Sequence, residues 1–496
     1  MNTRRQCCRV VAEKKKESSR MSENITSLPK KNITLDVKNR AGILELYRHG
    51  LGQGGISPKP LTENVVQAVR MTKPRLIRIF IQEFFEIYPS HGKFKWGKLD
   101  AYMKTLDETG AKVVASITLK PPVLFPKIDH TIFMPNNIEE FQNVIYQLVK
   151  RYSVEKKIIT HWEILNETDI GELGGAPYLI TGADDYLKFY RMVSQPILKA
   201  FPKAKIGGAA VANTDRDLLY EFIEKCGKTG TQLDFITWHT YSNLPEHHVN
   251  VIRKVKDAAK KFPGSPEFMV TEWNKAFDPV SVEELAFDRK KAAITAAAII
   301  AMNDVAPVWS FYYHIQEQVV CPEDFKPFFK DINTMAEFWN EIPIRFGLFG
   351  LNDEIRPPYF VYLFLSMMAG ERIEAVSDDP DIRTISGCDD DKISVLATNY
   401  NPEGSKDVVL QINLKNLPGV FRNLRVYRVD SNYRQLRLNA KDICPKKKAR
   451  TKTKDISAVK AIEPLSVENR EIYTMGDYYC QVYLPADSVA FVVLKK

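Results

Sequence analysis

The sequence predicts an α/β protein: a (β/α)8 (TIM) barrel followed by a C-terminal antiparallel β-sandwich. From about residue 40, eight short strand-like runs alternate with helical patterns, and eight parallel strands are the number that closes such a barrel. After about residue 375, short alternating runs are separated by Gly, Pro, Asn and Asp, which is typical of antiparallel sheets. We therefore expect a disordered basic tail over 1–31, a catalytic barrel over 32–374 and a β-sandwich over 375–496.

The barrel strands are predicted from runs that are short and rich in β-branched and aromatic residues. In chain order they are GILELY (42–47), LIRIFI (76–81), KVVASIT (112–118), ITHWEILN (159–166), KIGGAAV (205–211), DFITWHTY (234–241), EFMVTEW (267–273) and PVWSFYY (307–313). Between and after them, apolar residues recur at three- and four-residue spacing, which indicates helices. The last helix is expected to begin at Pro357 and Pro358, because proline is favoured in the first helical turn.

The sandwich is predicted from five later runs that alternate apolar and polar residues. They are KISVLATNY, DVVLQINL, NLRVYRV, YYCQVYLP and VAFVVLKK.

The net charge of +9 is concentrated in two segments. Residues 1–31 hold nine Lys and Arg against three Glu, and residues 446–454 hold six Lys and Arg with no acid. The remainder of the chain is therefore close to neutral, and the charge says little about the active site. Nucleic-acid or polyanion binding through these segments is the alternative interpretation, whereas a solvated tail and loop are favoured.

Cysteine usage and the N-terminal segment predict the compartment. The chain has seven Cys, an odd number, and no Cys-x-x-Cys pair. The N-terminus lacks an apolar core of the kind a secretory signal has, and no apolar run is long enough to span a bilayer. We expect free thiols, a cytoplasmic location and no membrane partner, with the oligomeric state undetermined.

Two carboxylates are expected at the mouth of the barrel. Glu167 ends the fourth predicted strand and Glu272 ends the seventh, and barrel enzymes carry their chemistry at the C-terminal ends of the strands. Strands four and seven face each other across a barrel, so both carboxylates can reach one small molecule. Such a pair is what glycoside cleavage requires, because one group protonates the leaving oxygen while the other attacks the anomeric carbon.

Three motifs around these carboxylates resemble a known enzyme family. Trp162-Glu163-x-x-Asn166-Glu167, the segment Asp234–Tyr241 (DFITWHTY) and Thr271-Glu272-Trp273-Asn274 are similar to clan A of the retaining glycoside hydrolases, and within it to family 39, which contains β-xylosidases and α-L-iduronidases. The resemblance covers about residues 40–496. It implies a barrel with a small β-domain, a carbohydrate substrate, no cofactor and no metal ion.

The resemblance also implies roles for individual residues. Glu167 would be the general acid/base and Glu272 the nucleophile, so that an equatorial glycosidic bond is cleaved with retention. The residues expected to bind or position the sugar are Asn166 at the 2-hydroxyl, His239 and Tyr241 near the nucleophile, Arg78 beside its charge, and Trp309 as an apolar wall. His49 is also expected near the sugar, because it precedes a Gly-rich segment and not because of the resemblance. The clan usually has proline after the acid/base, where this chain has Thr168.

Other interpretations are left open at this stage. Thr168 favours a barrel that binds carbohydrate without catalysis. His239 could equally be a buried core histidine, and Glu163 is more readily a structural partner of Arg78 than a reacting group. Residues 50–55 (GLGQGG) fit a dinucleotide fingerprint, but Pro58 and Pro60 prevent the loop from opening directly into a helix, as the fingerprint requires. We expect a Gly-rich loop at the barrel mouth instead.

Overall fold

A computed structural model describes residues 27–277, 288–340, 346–430 and 466–496. Its strands are β1 (Lys30–Ile43), β2 (His49–Gly52), β3 (Leu76–Ile81), β4 (Lys112–Ile117), β5 (Ile159–Ile164), β6 (Lys205–Val211), β7 (Phe235–Tyr241), β8 (Glu267–Asn274), β9 (Trp309–Tyr313), β10 (Glu371–Ser377), β11 (Ile382–Cys388), β12 (Lys392–Asn399), β13 (Val408–Val429), β14 (Ser466–Leu484) and β15 (Ser488–Lys495).

The α-helices are α1 (Glu63–Met71), α2 (Gly97–Asp107), α3 (Ile138–Val149), α4 (Ala183–Ala200), α5 (Leu218–Thr229), α6 (Pro245–Ala259), α7 (Asp288–Asn303), α8 (Pro322–Phe325), α9 (Asn333–Asn340) and α10 (Pro357–Met367). Short 3-10 turns cover Leu46–Arg48, Glu83–Phe85 and Gly171–Gly174, and a π-helical turn, Lys150–Glu155, extends α3. Helix starts follow local chemistry: Thr62 and Asn137 cap the first turns of α1 and α3 with their side chains, and prolines begin α6 and α10.

Strands β2 to β9 form a closed barrel of eight parallel strands in sequence order, so the predicted fold class is confirmed. Seven of the eight predicted strands coincide with observed ones to within two residues at each end. The strand interiors are almost completely buried, as in β3 and β9, because helices cover the outside and side chains fill the inside.

The first barrel strand and the domain boundary differ from the prediction. The first barrel strand is β2, beginning at His49, and not the run over 42–47. Strand β1 pairs with β10 and with β13, so residues 32–43 belong to the second sheet and not to the barrel. The alternation of β1, with Ile33, Leu35 and Val37 buried, is visible in the sequence, but its partners lie more than 300 residues away and no local pattern identifies them.

The second sheet contains seven strands in the order β1-β10-β11-β12-β15-β13-β14, and β1 also pairs with β13. It therefore curls back on itself around one apolar core, to which Leu35, Val395 and Leu410 contribute. The pairs are antiparallel except for β1 with β13. Two predicted runs, over 407–414 and 423–429, form the single long strand β13, whose pairing with β14 shifts register between them.

The second sheet packs against the barrel through helices α7 and α10. The ring of Phe364 in α10 stacks on Phe491 of β15 with centroids 5.0 Å apart. The hydroxyl of Ser394 accepts a hydrogen bond from the backbone N–H of Ala369 at 2.8 Å. Apolar residues of β12 and β15 belong to the same core as the barrel helices, so the two parts bury a shared surface.

Several expectations concern residues outside the described ranges. Residues 1–26 of the predicted tail and the basic segment 446–454 are among them, whereas Lys30 and Lys31 belong to β1. Within the described ranges, Cys226, Cys388 and Cys480 are free thiols. In the same ranges, none of the helices has the length and apolar character needed to cross a membrane.

Candidate active site

The centre of the barrel mouth is organised by one buried arginine. Arg78 of β3 has no solvent exposure and donates from Nε and Nη2 to Glu163 at 2.8 and 2.6 Å. Its Nη1 donates to Oε1 of Glu272 at 2.5 Å, and its Nη2 donates to Oδ1 of Asn166 at 2.6 Å. A planar guanidinium can serve three acceptors in fixed directions, so Arg78 holds residues of β5 and β8 in a single network. Glu163 is thus the structural partner of Arg78.

Glu167 follows β5 in an unusual backbone conformation. Leu165 and Glu167 have φ values of 68° and 42°, which non-glycine residues seldom adopt and which cluster at functional sites. The N–H of Glu167 donates to the carbonyl of Ala210 at 2.8 Å. This geometry directs the carboxyl group to His239 of β7, whose Nδ1 lies 2.7 Å from Oε1 of Glu167.

Glu272 lies opposite, on β8. Its Oε2 accepts a hydrogen bond of 2.6 Å from the hydroxyl of Tyr241, the last residue of β7, while Oε1 is held by Arg78. His239 is the register partner of Glu272, and its Nδ1 is 3.7 Å from Oε2 of Glu272. One side-chain oxygen each of Glu167 and Glu272 and one nitrogen of His239 all lie within 4.8 Å of one another.

The environments of the two carboxylates differ. Burial raises the pKa of Glu167 well above its usual value, and the negative charges of Glu272 and Asp169 raise it further. Burial also raises the pKa of Glu272, but the positive charge of Arg78 and the hydroxyl of Tyr241 counteract the increase. Arg78 and Tyr241 therefore favour the ionised form of Glu272, while its burial opposes that form. Burial and two negative charges raise the pKa of Glu167, whereas Glu272 has two donors that favour its ionised form, so Glu167 is the better placed of the two to carry a proton.

The surroundings of His239 disfavour its charged form. Burial, together with the charge of Arg78, keeps the pKa of His239 well below its usual value. The three residues Glu167, His239 and Glu272 are close enough to share a metal ion. However, an ion would have to displace the bonds that already join His239 to Glu167 and Tyr241 to Glu272, beside the fixed charge of Arg78.

A pocket of about 360 Å³ opens above the two carboxylates. Its lining is mostly apolar. The described lining residues are Gly55, Phe80, Glu167, Ile170, Glu172, Leu173, Gly174, Gly175, Ala212, Tyr241, Glu272, Phe277, Tyr313, Asp331, Thr334, Met335 and Trp339. Gly55 comes from the Gly-rich segment after β2, so part of that segment does lie at the barrel mouth.

The loop Gly171–Gly175, called the acid loop below, covers one side of Glu167. A Cβ atom on Gly174 would lie 2.4 Å from Oε2 of Glu167, so only glycine fits at this position. The carbonyl of Gly174 accepts from Asn166 Nδ2 at 2.9 Å, and that of Gly175 accepts from Gln82 Nε2 at 2.6 Å. The carboxylate of Glu172 accepts from the backbone N–H groups of residues 330 and 331, which ties the acid loop to the segment before α9.

Two predicted site residues lie at the other end of the barrel. Trp309 is the first residue of β9 and packs with Leu76 and Phe235, the first residues of β3 and β7. His49 is the first residue of β2, and its Nδ1 is 2.8 Å from Oγ of Ser310. The sequence predicts the first strand at 42–47, which puts His49 after it, whereas the observed strand begins at His49. Both residues start their strands and therefore lie on the N-terminal face, away from the carboxylates.

The structure brings the remaining predicted residues together, namely Glu167, Glu272, Asn166, His239, Tyr241 and Arg78. Thr168 is fully buried, and its carbonyl accepts from the N–H of Ile180 at 2.8 Å. The absence of proline there does not move Glu167 out of the site. Asn166 has both ends of its amide engaged by the protein, through Arg78 and Gly174.

Sequence reasoning missed the pocket walls. Tyr313 ends β9, so its strand-end position could have identified it. Trp339 and Met335 come from α9, a helix inserted after β9 for which the repeat pattern gave no signal.

Asp169 accepts hydrogen bonds from the N–H groups of Ala212 and Asn213 at 2.9 and 3.0 Å, which joins the segment after Glu167 to the end of β6.

Comparisons with known proteins bear on the family and the fold. The family model described as glycosyl hydrolases family 39 matches residues 81–416. The beta-xylosidase of Geobacillus stearothermophilus is 18% identical over 249 residues, which cover 46% of this chain. The match spans 45% of that relative's length, less than half of it.

Solved structures of low sequence identity share the fold. A monomeric beta-xylosidase from Caulobacter crescentus CB15 superposes with a TM-score of 0.68 at 17% identity, covering 94% of this chain and 99% of that one. A glucosidase from Croceicoccus marinus superposes with a TM-score of 0.68 at 16% identity, covering 95% and 99%. The same architecture thus occurs in proteins whose names refer to different sugars, so the sugar has to be argued from the site.

Proposed function

The chain belongs to glycosyl hydrolases family 39, and on that basis we propose that it is a retaining glycosidase with Glu167 as general acid/base and Glu272 as nucleophile. The observation that carries the proposal is the buried carboxylate pair, with one oxygen of each group within 4.8 Å of the other. Retaining enzymes hold their two carboxyl groups about 5–5.5 Å apart, whereas inverting enzymes leave a wider gap for a water molecule. The short separation therefore supports retention.

In the first step, an oxygen of Glu272 attacks the anomeric carbon. The bond from that carbon to the glycosidic oxygen breaks, and Glu167 gives its proton to the departing oxygen. The raised pKa of Glu167 supports this role, since a carboxyl group that holds its proton more tightly is suited to act as the acid. Arg78 and Tyr241 direct the nucleophilic oxygens by holding one each.

In the second step, the glycosyl–Glu272 ester is hydrolysed. Glu167, now ionised, takes a proton from water, the water oxygen bonds to the anomeric carbon, and Glu272 leaves as a carboxylate. The first step removes the negative charge of Glu272, and charge repulsion from Glu272 is one cause of the raised pKa of Glu167. The pKa of Glu167 should therefore fall in the intermediate, and the same residue can act as base.

We propose a β-xyloside or a related neutral glycoside as substrate. Similarity to named beta-xylosidases supports the sugar. Among the described lining residues there is no Lys or Arg, which favours a neutral sugar over a uronic acid, because a carboxylate is usually bound by cations. The alternative, a barrel that binds sugar without catalysis, has less support, since both carboxylates are present and converge.

Azide rescue tests both assignments. Glu167→Ala should retain most of its glycosylation rate with a nitrophenyl glycoside, whose leaving group needs no proton, and should accumulate the covalent intermediate. Azide should restore turnover and give a glycosyl azide of retained configuration. Glu272→Ala should lose at least ~10⁴-fold in rate, on the scale of removing a catalytic nucleophile, and azide should give the inverted product.

The matched control is Glu337→Ala, which removes an exposed carboxylate from α9. We expect its rate to be unchanged and insensitive to azide. Near-normal rates for both active-site variants, or an inverted first product from the unaltered protein in NMR, would contradict the assignment.

A further inference from the structure

The two carboxylates divide the pocket into a sugar side and a leaving-group side. On the proposed function, on which this inference rests, Glu272 contacts the anomeric carbon and Glu167 contacts the glycosidic oxygen. The group released in the first step, the aglycone, must therefore extend past Glu167. The chemistry of the wall next to Glu167 determines which aglycones fit.

That wall is built by the acid loop and its neighbours. A Cβ on Gly174 would lie 2.4 Å from Oε2 of Glu167 and 3.0 Å from Cγ1 of Ile170, and a Cβ on Gly175 would lie 3.6 Å from Cε of Met335. Leu173, with 74% of its surface exposed, adjoins them and lines the same pocket. The wall beside the acid/base is thus aliphatic.

The two carboxylates of this wall already accept hydrogen bonds from the protein. Glu172 accepts from the backbone N–H groups of Lys330 and Asp331 at 2.9 and 3.2 Å. Asp331 in turn accepts from the N–H of Asn333 at 2.9 Å and from the hydroxyl of Thr334 at 3.5 Å. Over the described stretches of the chain, the pocket lining offers no Lys or Arg to an acidic group.

A second sugar would place several hydroxyl groups against this wall, where few partners remain, and buried polar groups without partners are unfavourable. An apolar group would instead remove aliphatic surface from water. We propose that the aglycone of the natural substrate is apolar, such as an alkyl, terpenoid or aryl alcohol, and that Leu173 is one of the residues that bind it.

A series of n-alkyl glycosides tests the proposal. The sugar is the one that a nitrophenyl panel shows to be hydrolysed, and the alkyl group is methyl, propyl, butyl or hexyl. The alcohols differ little in acidity, so the chemical step is nearly constant and the series varies only in apolar area. Burial of one methylene changes an equilibrium constant by roughly fourfold. With partial burial we expect kcat/KM to rise at least about tenfold from methyl to butyl.

Leu173→Ser should reduce that rise about threefold or more, and the readout is the ratio of kcat/KM for the butyl over the methyl glycoside, which cancels any change common to the whole series. The matched control is Val376→Ser, an equally exposed residue of β10 at 71%, which should preserve the full rise. A disaccharide of the same sugar should be hydrolysed more slowly than the butyl glycoside.

Three results would overturn this inference while the nitrophenyl glycoside is still cleaved with retention. They are a kcat/KM that does not rise along the alkyl series, a rise in kcat/KM that is unchanged in Leu173→Ser, and faster hydrolysis of the disaccharide than of the butyl glycoside. Failure to cleave any nitrophenyl glycoside would instead overturn the proposed function, and this inference with it.

Discussion

Replacing Tyr241 by Phe removes one hydrogen bond from the proposed nucleophile and keeps the aromatic ring. The hydroxyl of Tyr241 donates to Oε2 of Glu272 at 2.6 Å, while Arg78 holds Oε1. The ring also stacks on Phe346 with centroids 5.5 Å apart, a contact that Phe can preserve. The substitution therefore isolates one electrostatic contribution to the reactivity of Glu272.

The magnitude follows from the strength of a charge-assisted hydrogen bond. Such a bond contributes about 1.5–3 kcal/mol, and one pKa unit corresponds to about 1.4 kcal/mol. Because Arg78 stays in place, we take the lower end of the range and expect the pKa of Glu272 to rise by about one unit. The ionised form is the one that reacts, so the acidic limb of the pH profile should move to higher pH.

The assay is the pH dependence of kcat/KM with a nitrophenyl glycoside in the unaltered protein and the variant. We expect the acidic limb to shift upward by about one unit, while the alkaline limb, assigned to Glu167, moves much less. Tyr313→Phe is the matched control: this tyrosine lines the same pocket, but its hydroxyl donates to the carbonyl of Gly54 at 2.8 Å, so neither limb should shift.

An acidic limb that stays in place in Tyr241→Phe would refute the idea that Tyr241 stabilises the ionised form of Glu272. A shift of the alkaline limb alone would exchange the roles assigned to the two carboxylates.

Two further substitutions test the packing around the site. In Gly174→Ala, the new Cβ would come within 2.4 Å of the Glu167 carboxylate, and we expect kcat/KM to fall about 100-fold, the scale for a misplaced catalytic group. Gly182→Ala, which has open space around it, is the control and should keep its activity. Equal activities of the two variants would contradict the contact between Gly174 and Glu167. Burial raises the pKa of Glu83 to about 8, above about 4.3 in an unfolded chain, so the folded state binds that proton more tightly and stability falls as pH rises between these values. Glu83→Gln should therefore be more stable than the unaltered protein by about 2–4 kcal/mol at pH 8 and little changed at pH 5 in urea unfolding, and a parallel pH dependence of the two proteins would argue against a buried acid.

The barrel was predictable because its signals are local. Each strand–helix unit shows its own periodicity in the sequence, and eight such units are the number that closes a barrel. Strand β1 was misassigned for the opposite reason: its alternation is clear, but its partners β10 and β13 follow the whole barrel in sequence. The boundaries of the second domain therefore depended on long-range pairing.

In the site, too, some residues could be placed from local sequence signals and others could not. Glu167, Glu272 and Asn166 could be placed from strand ends and from motifs that resemble family 39, and family membership is confirmed. His49 and Trp309 were placed wrongly because a shift of a few residues along a strand moves a side chain from one face of the barrel to the other. A strand rises about 3.3 Å per residue, so boundary errors of this size matter most at strand ends.

The fold class, the family and the positions of the two carboxylates were predictable from the sequence, because periodicity and strand-end motifs are properties of short segments. The folded protein was needed to see that Arg78 joins Glu163, Asn166 and Glu272, and that the acid loop closes on Glu167 at a glycine. It also supplied the aliphatic wall, which combines Ile170 and Leu173 with Met335 from a helix more than 150 residues later. These contacts unite segments that share no local pattern, and their distances and burial arise only when the chain is folded.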